Sequence, residues 1–369
     1  MKKALHIFVL LMLAAALLSL SAFAADNVRY VANAAMGTGD GLTAENATTL
    51  DKAFTELNTN VFTKAEHAGE TCTIYLVEDI TLMQYRPEKT SPRTTQVFSE
   101  DAHADNAVAI LTMPGKAKAT ITFPYGTTSA TRVYNYLLSG ETSFDNVIFT
   151  TGAKGSIQIP VIAAQGHKLT LGAGVETVKA SGCHGIAVAG ITLSANTFRT
   201  KQGEKTTSVF TPDVTVLGGE YEYIAAFSYN AVVAAGSSAK LTLGNVKVGT
   251  LTATNHTGGT VAANTSVEIV YTGKVEAEEF YPTRRPADSN HGNASTFTHM
   301  LLEGAELVYT DMDVTTATNA TLNLRFDPTN AAVAKQAKAL YDELYGNANI
   351  GTFTFSTVTT DPVCADDAH

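Results

Sequence analysis

No tryptophan occurs in the 369 residues, and cysteine is limited to Cys72, Cys183 and Cys364. The first absence removes the largest apolar face a protein can offer to a sugar ring. The second excludes a disulfide scaffold: three thiols form at most one internal bridge, and export would permit that bridge without demanding it. Charge is scarce too, at 16% of residues, against about 25% in ordinary globular chains. Basic residues are the scarcer kind, 25 against 35 acidic ones, for a formal net charge of −10. An acidic chain without a basic stripe repels nucleic acid and anionic lipid, so neither is an expected partner. It also repels polyuronates, unless bound calcium bridges them.

Long apolar runs are missing after the first residues. Lys2 and Lys3 precede an apolar stretch from Ile7 to Leu20, and Ala22-Phe23-Ala24 follows. That order is a secretory leader, with cleavage expected after Ala24 or Ala25, so residues 1–25 are read as a signal peptide. The run falls short of the roughly 20 residues a membrane span needs. No later stretch reaches that length, so no membrane span is expected. Losing Lys2 and Lys3 deepens the net charge to −12. The mature protein is expected outside the cell or at its surface.

What the chain does have is a repeat. Paired apolar residues recur at Leu137-Leu138, Val161-Ile162, Ile186 with Val188, Val209-Phe210 and Val232-Val233, at intervals of 24, 25, 23 and 23. The string Lys-Leu-Thr-Leu-Gly occurs at 168–172 and again at 240–244, an offset of 72, or three such steps. Periods of this size signal stacked units that bury a core only against one another.

Short alternating runs such as Thr73–Val77, Val147–Phe149, Leu169–Leu171, Val214–Leu217, Leu241–Val248 and Val267–Tyr271 read as strands broken by Gly, Asn or Asp. Their breaks are too tight for crossover helices. Two segments interrupt them, Tyr85–Asp105 and Glu276–Phe297, both with prolines, and are expected to be loops. The glycine-rich Gly37–Gly41 lacks the strand, helix and Lys-Ser/Thr of a phosphate loop and reads as a flexible turn. Helical spacing appears twice. Residues 48–61, with Leu50, Ala53, Phe54, Leu57 and Val61 on one face and Thr48 with Asp51 as a capping pair, predict a helix lying over the end of the stack. Residues 329–345 predict a second, started by Thr329 or Asn330 and stopped by Gly346. Ile350–Val358 alternates as a last strand, and 361–369 form an acidic tail.

These features predict an all-β chain: a right-handed parallel β-helix, or solenoid, over residues 26–360, with an N-terminal capping helix and a short C-terminal helix. A two-sheet sandwich explains short strands but not the steady step. A propeller needs about 40–50 residues per blade.

Three stretches carry a resemblance: Tyr30-Val31-Ala32 with Gly37–Gly41 and Glu45-Asn46-Ala47, Thr73–Leu76, and Leu137–Phe149. The segment 26–275 resembles exported bacterial β-helix surface proteins of the pectate-lyase-like superfamily, many of them from gut-dwelling Firmicutes. The resemblance implies a surface protein, adhesive or glycan-binding. It does not bring an activity: the Trp-Ile-Asp-His, Asn-Thr-Asp, Gly-His-Gly and Arg-Ile-Lys strings of the family's lyases and polygalacturonases are absent. Gly182-Cys183-His184-Gly185 is the nearest approach. No catalytic residue is assigned.

Candidate sites are few. Tyr221 and Tyr223 alternate with Glu220 and Glu222, so both rings are expected to face one way, with Tyr229 further on; such a set could cradle a sugar or simply stack. Asp101, His103 and Asp105 alternate in a polar segment and would suit a hard cation such as calcium; no resident cofactor is otherwise expected. Asp311 and Asp313 alternate likewise, while Glu276, Glu278 and Glu279 read as a solvated acidic run and Arg284-Arg285 as a solvated pair. The expected function is therefore extracellular, structural, adhesive or glycan-binding. A polysaccharide lyase or glycoside hydrolase on the same scaffold is the alternative.

Overall fold

The computed structural model describes residues 27–82, 93–95, 105–124, 135–152, 159–192, 209–228, 232–254, 260–262, 264–283, 295–314, 317–347 and 350–358. Residues 1–25, Asp101, His103, Tyr229, Arg284-Arg285 and Cys364 lie outside them. Every strand pairing in it is parallel. An eleven-stranded sheet runs from Val28–Val31 to Ile350–Thr357, an eight-stranded sheet from Arg93–Thr95 to Glu306–Met312, and a four-stranded sheet from Ile80–Thr81 to Glu176–Val178. Successive strands of each sheet come from successive passes of the chain, which is the wiring of a β-solenoid. The expected fold class holds.

Alternation explains the register. Along the long sheet, one inward row reads Cys72, Val108, Thr142, Leu169, Val214, Leu241, Ile269, His299, Leu324 and Phe355. Slipping any strand by one residue would turn its whole apolar set to water. An outward row carries Lys168, Asp213, Lys240 and Glu268 in register. Lys168 also meets Glu141 at 2.7 Å, and Lys240 meets Glu268 at 3.8 Å. Opposite charges on neighbouring strands favour this alignment over a shifted one.

The step itself differs from the one expected. Asn135–Leu137, Val161–Ala163 and Ala187–Ile191 stack as read, but at 26 residues per pass. The next two apolar pairs leave that row: Val209 is exposed, and Val232-Val233 pairs with Thr260-Val261 in a separate two-stranded sheet. The repeated Lys-Leu-Thr-Leu-Gly strings do share the long sheet, but one strand lies between them, Asp213–Val216, so they are two passes apart rather than three. Ala187 pairs next with Tyr223, 36 positions on rather than 26.

Both expected loops are partly strand. Arg93–Thr95 pairs with Asn135–Leu137, and Lys274–Tyr281 extends the second sheet through Glu276.

Tight turns link the long sheet to its neighbours. A Cβ on Gly244 would lie 2.9 Å from the Leu217 backbone, and one on Gly273 would lie 2.8 Å from the Gly244 carbonyl carbon. Turns stacked this closely leave room only for glycine.

The first helix, α1 (Leu50–Leu57), continues as a π-type turn through Phe62 and buries Ala53, Phe54, Leu57, Val61 and Phe62 over the first strands. Its N-cap is Thr49, not Thr48, which is buried and bridges Val31. Arg29, 3% exposed in the first strand, meets Glu56 of α1 at 3.5 Å. A charge taken out of water needs such a partner. The second helix, α2 (Ala331–Leu344), is capped by Asn330, whose side chain accepts from Ala332 N at 3.0 Å and Val333 N at 3.3 Å. It turns Val333, Ala337, Leu340 and Leu344 inward. Cys72 and Cys183 are buried free thiols.

Candidate functional site

Four consecutive strands of the second sheet bend at the same place. In Glu220–Ser228, Tyr221 and Ile224 belong to the main core, while Tyr223 and Ala225 belong to a separate cluster with Leu137, Val161, Ala163, Ala187 and Ala189. Glu222 and Tyr223 thus both point outward, breaking the two-residue alternation. Gly249-Thr250 in Val246–Thr252 and Glu278-Glu279 in Lys274–Tyr281 repeat the break, between inward Val248 and Leu251 and between inward Ala277 and Phe280. The bend is therefore built into the stack, with Tyr223, Thr250, Glu279 and Asp311 in register along it.

A concavity opens along this bend. It is a groove of about 580 Å³ lined by Thr177, Lys179, Gly185, Glu220, Glu222, Lys247, Gly249, Thr250, Glu276, Glu278, Glu279, Val308 and Thr310, among others. Five carboxylates face two lysines. One row across its floor reads Glu220, Lys247, Glu276 and Val308 in register. Small residues keep it open: a Cβ on Gly249 would lie 2.7 Å from Glu222 O, and one on Gly185 would lie 3.2 Å from Glu222 Oε2.

Glu222 is the most constrained group there. Its Oε2 accepts from Gly185 N at 2.8 Å and from Lys179 Nζ at 3.1 Å, and its Oε1 lies 3.3 Å from His184 Nδ1. Burial alone would raise this carboxyl; the Gly185 amide, Lys179 and His184 outweigh it and hold it below its ordinary value. Glu279 accepts from Thr250 Oγ1 at 3.1 Å and from Tyr281 Oη at 3.4 Å. Glu276 lies 2.8 Å from Lys274 and is likewise held below its ordinary value, chiefly by that hydrogen bond. Thr177 Oγ1 both donates to Glu220 O and accepts from Glu220 N, tying the third sheet to the groove wall. The result is an acceptor surface held in place by a few hydroxyl and ammonium donors.

The tyrosine expectation needs correcting. Tyr221 and Tyr223 do not share a face, because the bend separates them. Tyr221 is 2% exposed and donates to Gly218 O at 2.8 Å; Tyr223 is fully buried. Neither ring offers a face to solvent, and burial raises the Tyr221 hydroxyl well above its usual pKa. The acidic run, by contrast, is not merely solvated: Glu276, Glu278 and Glu279 line the groove. Asp311 sits in register beside Glu279, while Asp313 does not line it. Asp105 is exposed. Among the described residues no three His, Cys, Asp or Glu side chains converge to hold a metal ion.

Sequence reasoning named Glu222 and His184 without bringing them together, and it passed over Lys179. The signal available was Glu222 itself, a carboxylate at an outward position of a strand that is otherwise apolar or aromatic from Tyr221 to Phe227. Its partners lie 43 and 38 residues away and meet it only through the coiling.

Comparison with family models, with curated proteins and with solved structures gave no match. What the structure shows of the expected resemblance is the parallel β-solenoid architecture alone.

Proposed function

We propose that this is an exported β-solenoid protein that binds an extracellular glycan along the Glu222 groove, serving adhesion or display rather than turnover. The single observation that carries this reading is the groove itself, with its five carboxylates, two lysines and threonine hydroxyls fixed along one bend. Carboxylates accept hydrogen bonds from sugar hydroxyls and draw amino groups, and charge-assisted bonds are the strong ones. The same carboxylates repel uronates, so the ligand is a neutral or amino-sugar polymer. Without an exposed ring to stack on, affinity is low per site. Export rests on the leader pattern at residues 1–25.

Titration of the protein with neutral, amino-sugar and uronate oligosaccharides, followed by calorimetry, tests this. Binding of the first two and not the third is expected. Binding confined to uronates would overturn it.

A lyase or hydrolase remains the second reading, favoured by the convergence of carboxylates with Lys179, Lys247 and the Glu222–His184 contact. Incubation with a polysaccharide panel, scored for new unsaturated bonds and new reducing ends, separates the two. Turnover abolished by Glu222→Gln would replace the binding reading with the catalytic one.

A further inference from the structure

The two ends of the long sheet are finished differently. At the first strand, Thr48 N donates to Tyr30 O, Ala32 N donates to Thr48 O, and Tyr30 N donates to Gly41 O. Residues 41 and 48 thus seal the outer edge of Val28–Val31. At the last strand, Ile350–Thr357, only the edge toward Ala317–Phe326 is paired among the described residues. Val358 N donates to Phe326 O. By alternation, Thr352, Thr354 and Ser356 turn their backbone groups toward that inner neighbour. The N–H and C=O of Phe353 and Phe355 therefore point away from it.

Natural sheets guard such edges with lysine, proline, bulges or very short strands. One register shift lies between Ala317 and Thr321, ahead of Thr352, and from Thr352 to Thr357 the pairing is regular. The strand runs eight residues, and Ile350 to Val358 contains no Asp, Glu, Lys, Arg or Pro. Its centre reads Thr352-Phe353-Thr354-Phe355-Ser356, the same in either direction about Thr354 but for one Thr/Ser exchange. Two such strands laid antiparallel about a two-fold axis at Thr354 put Phe353 opposite Phe355 in both directions, and Thr352 opposite Ser356. Phe353 and Phe355 are the residues with outward backbone groups, so they form the hydrogen-bonded pairs, and Thr354 meets its own copy in a non-bonded pair. Sequence symmetry and backbone parity agree on one axis. The two rings are already held in place by Tyr341 of α2, with centroids 5.3 and 4.7 Å away.

We propose that a second copy of this chain docks antiparallel on residues 352–356 about a two-fold axis at Thr354, joining the two long sheets into one. Aromatic and hydroxyl cross-strand pairs stabilise the junction. This proposal stands apart from the groove.

Sedimentation equilibrium of the exported chain tests it, with circular dichroism and melting temperature taken for every variant. Wild type is expected to be a dimer. Thr354→Lys sets two ammonium groups against each other on the axis and should give a monomer of unchanged fold. Should that variant fail to fold, the pair Thr352→Lys with Ser356→Lys serves instead and should also dissociate. Thr352→Lys with Ser356→Glu sets each lysine against a glutamate of the other copy and should stay dimeric. A wild type that is monomeric at high micromolar concentration overturns the proposal, as does a Thr354→Lys dimer. So does equal dissociation of the two double variants. A chain ending at Val358 that dimerises where the full chain does not would assign the edge to the chain's own last residues, also overturning it.

Discussion

Tyr271 Oη lies 2.9 Å from His299 Nδ1, inside the coil and sealed from water. The carbonyl of Pro282 lies 2.7 Å from the other ring nitrogen and can only accept, so Nε2 carries the proton and Nδ1 accepts from the tyrosine. A neutral imidazole thus fills one place in an aliphatic row, between Ile269 and Leu324.

That arrangement makes stability depend on pH. Burial pushes the His299 pKa down to about 4, against the ordinary 6.5. The unfolded chain therefore binds this proton first as pH falls. The contribution is fully present above pH 6.5 and is lost progressively toward pH 4, about 3 kcal/mol in all. Urea unfolding at several pH values across that window should show the slope. In Tyr271→Phe with His299→Leu, which removes the polar pair together, this part of the slope should vanish. His299→Leu alone should cost about 1–3 kcal/mol more than the double variant, through the stranded tyrosine hydroxyl.

Gly244→Ala tests the stacked turns. The added Cβ would press on the Leu217 backbone, which cannot swing aside as a side-chain end could. A loss of about 1–3 kcal/mol is expected. Gly115→Ala is the comparison: nothing lies within 4 Å, and only its positive φ of 79° is strained, for about 1–2 kcal/mol. Denaturant midpoints measure both.

Cys72 should be inert in the folded protein. Burial first, and then the charge of Glu70, pushes its thiol up to about 12, so almost no thiolate exists at neutral pH. Iodoacetamide at mild alkaline pH, read by mass spectrometry, should leave Cys72 unmodified until denaturant is added. Rapid native labelling would contradict the buried placement.

Glu222→Gln should separate binding from folding. Its ion pairs are partly solvated, so the stability change should stay below about 1 kcal/mol. Glycan affinity should fall roughly tenfold or more, as charge-assisted acceptors are lost. Because the carboxyl is held below its ordinary value, wild-type binding should persist to about pH 5. Calorimetry at two pH values checks both statements.

The solenoid was legible because a core-facing strand must alternate, and stacked strands must repeat that alternation at a fixed step. Asn330 and the stripe of α2 were legible for a similar reason, since caps and helical faces are local signals. The number of passes between the two Lys-Leu-Thr-Leu-Gly strings was not, because inserted residues lengthen a pass invisibly to spacing. Nor was the groove: Glu222 meets Lys179 and His184 only after a pass of irregular length closes. The tyrosine pair misled for a different reason. A bend turns two successive residues outward, and strict alternation has no symbol for it.

Among the described residues, each strand of the long sheet bonds only its immediate neighbours, and the outer side of the first is tied down by Gly41 and Thr48. A molecule wired this way bears load unevenly. Tension should peel it open from the Ile350–Thr357 end, one rung per step, while the arginine-pinned end beneath α1 yields last. An isolated copy would fray under shear from that side, and back-to-back copies would shield each other's weak end.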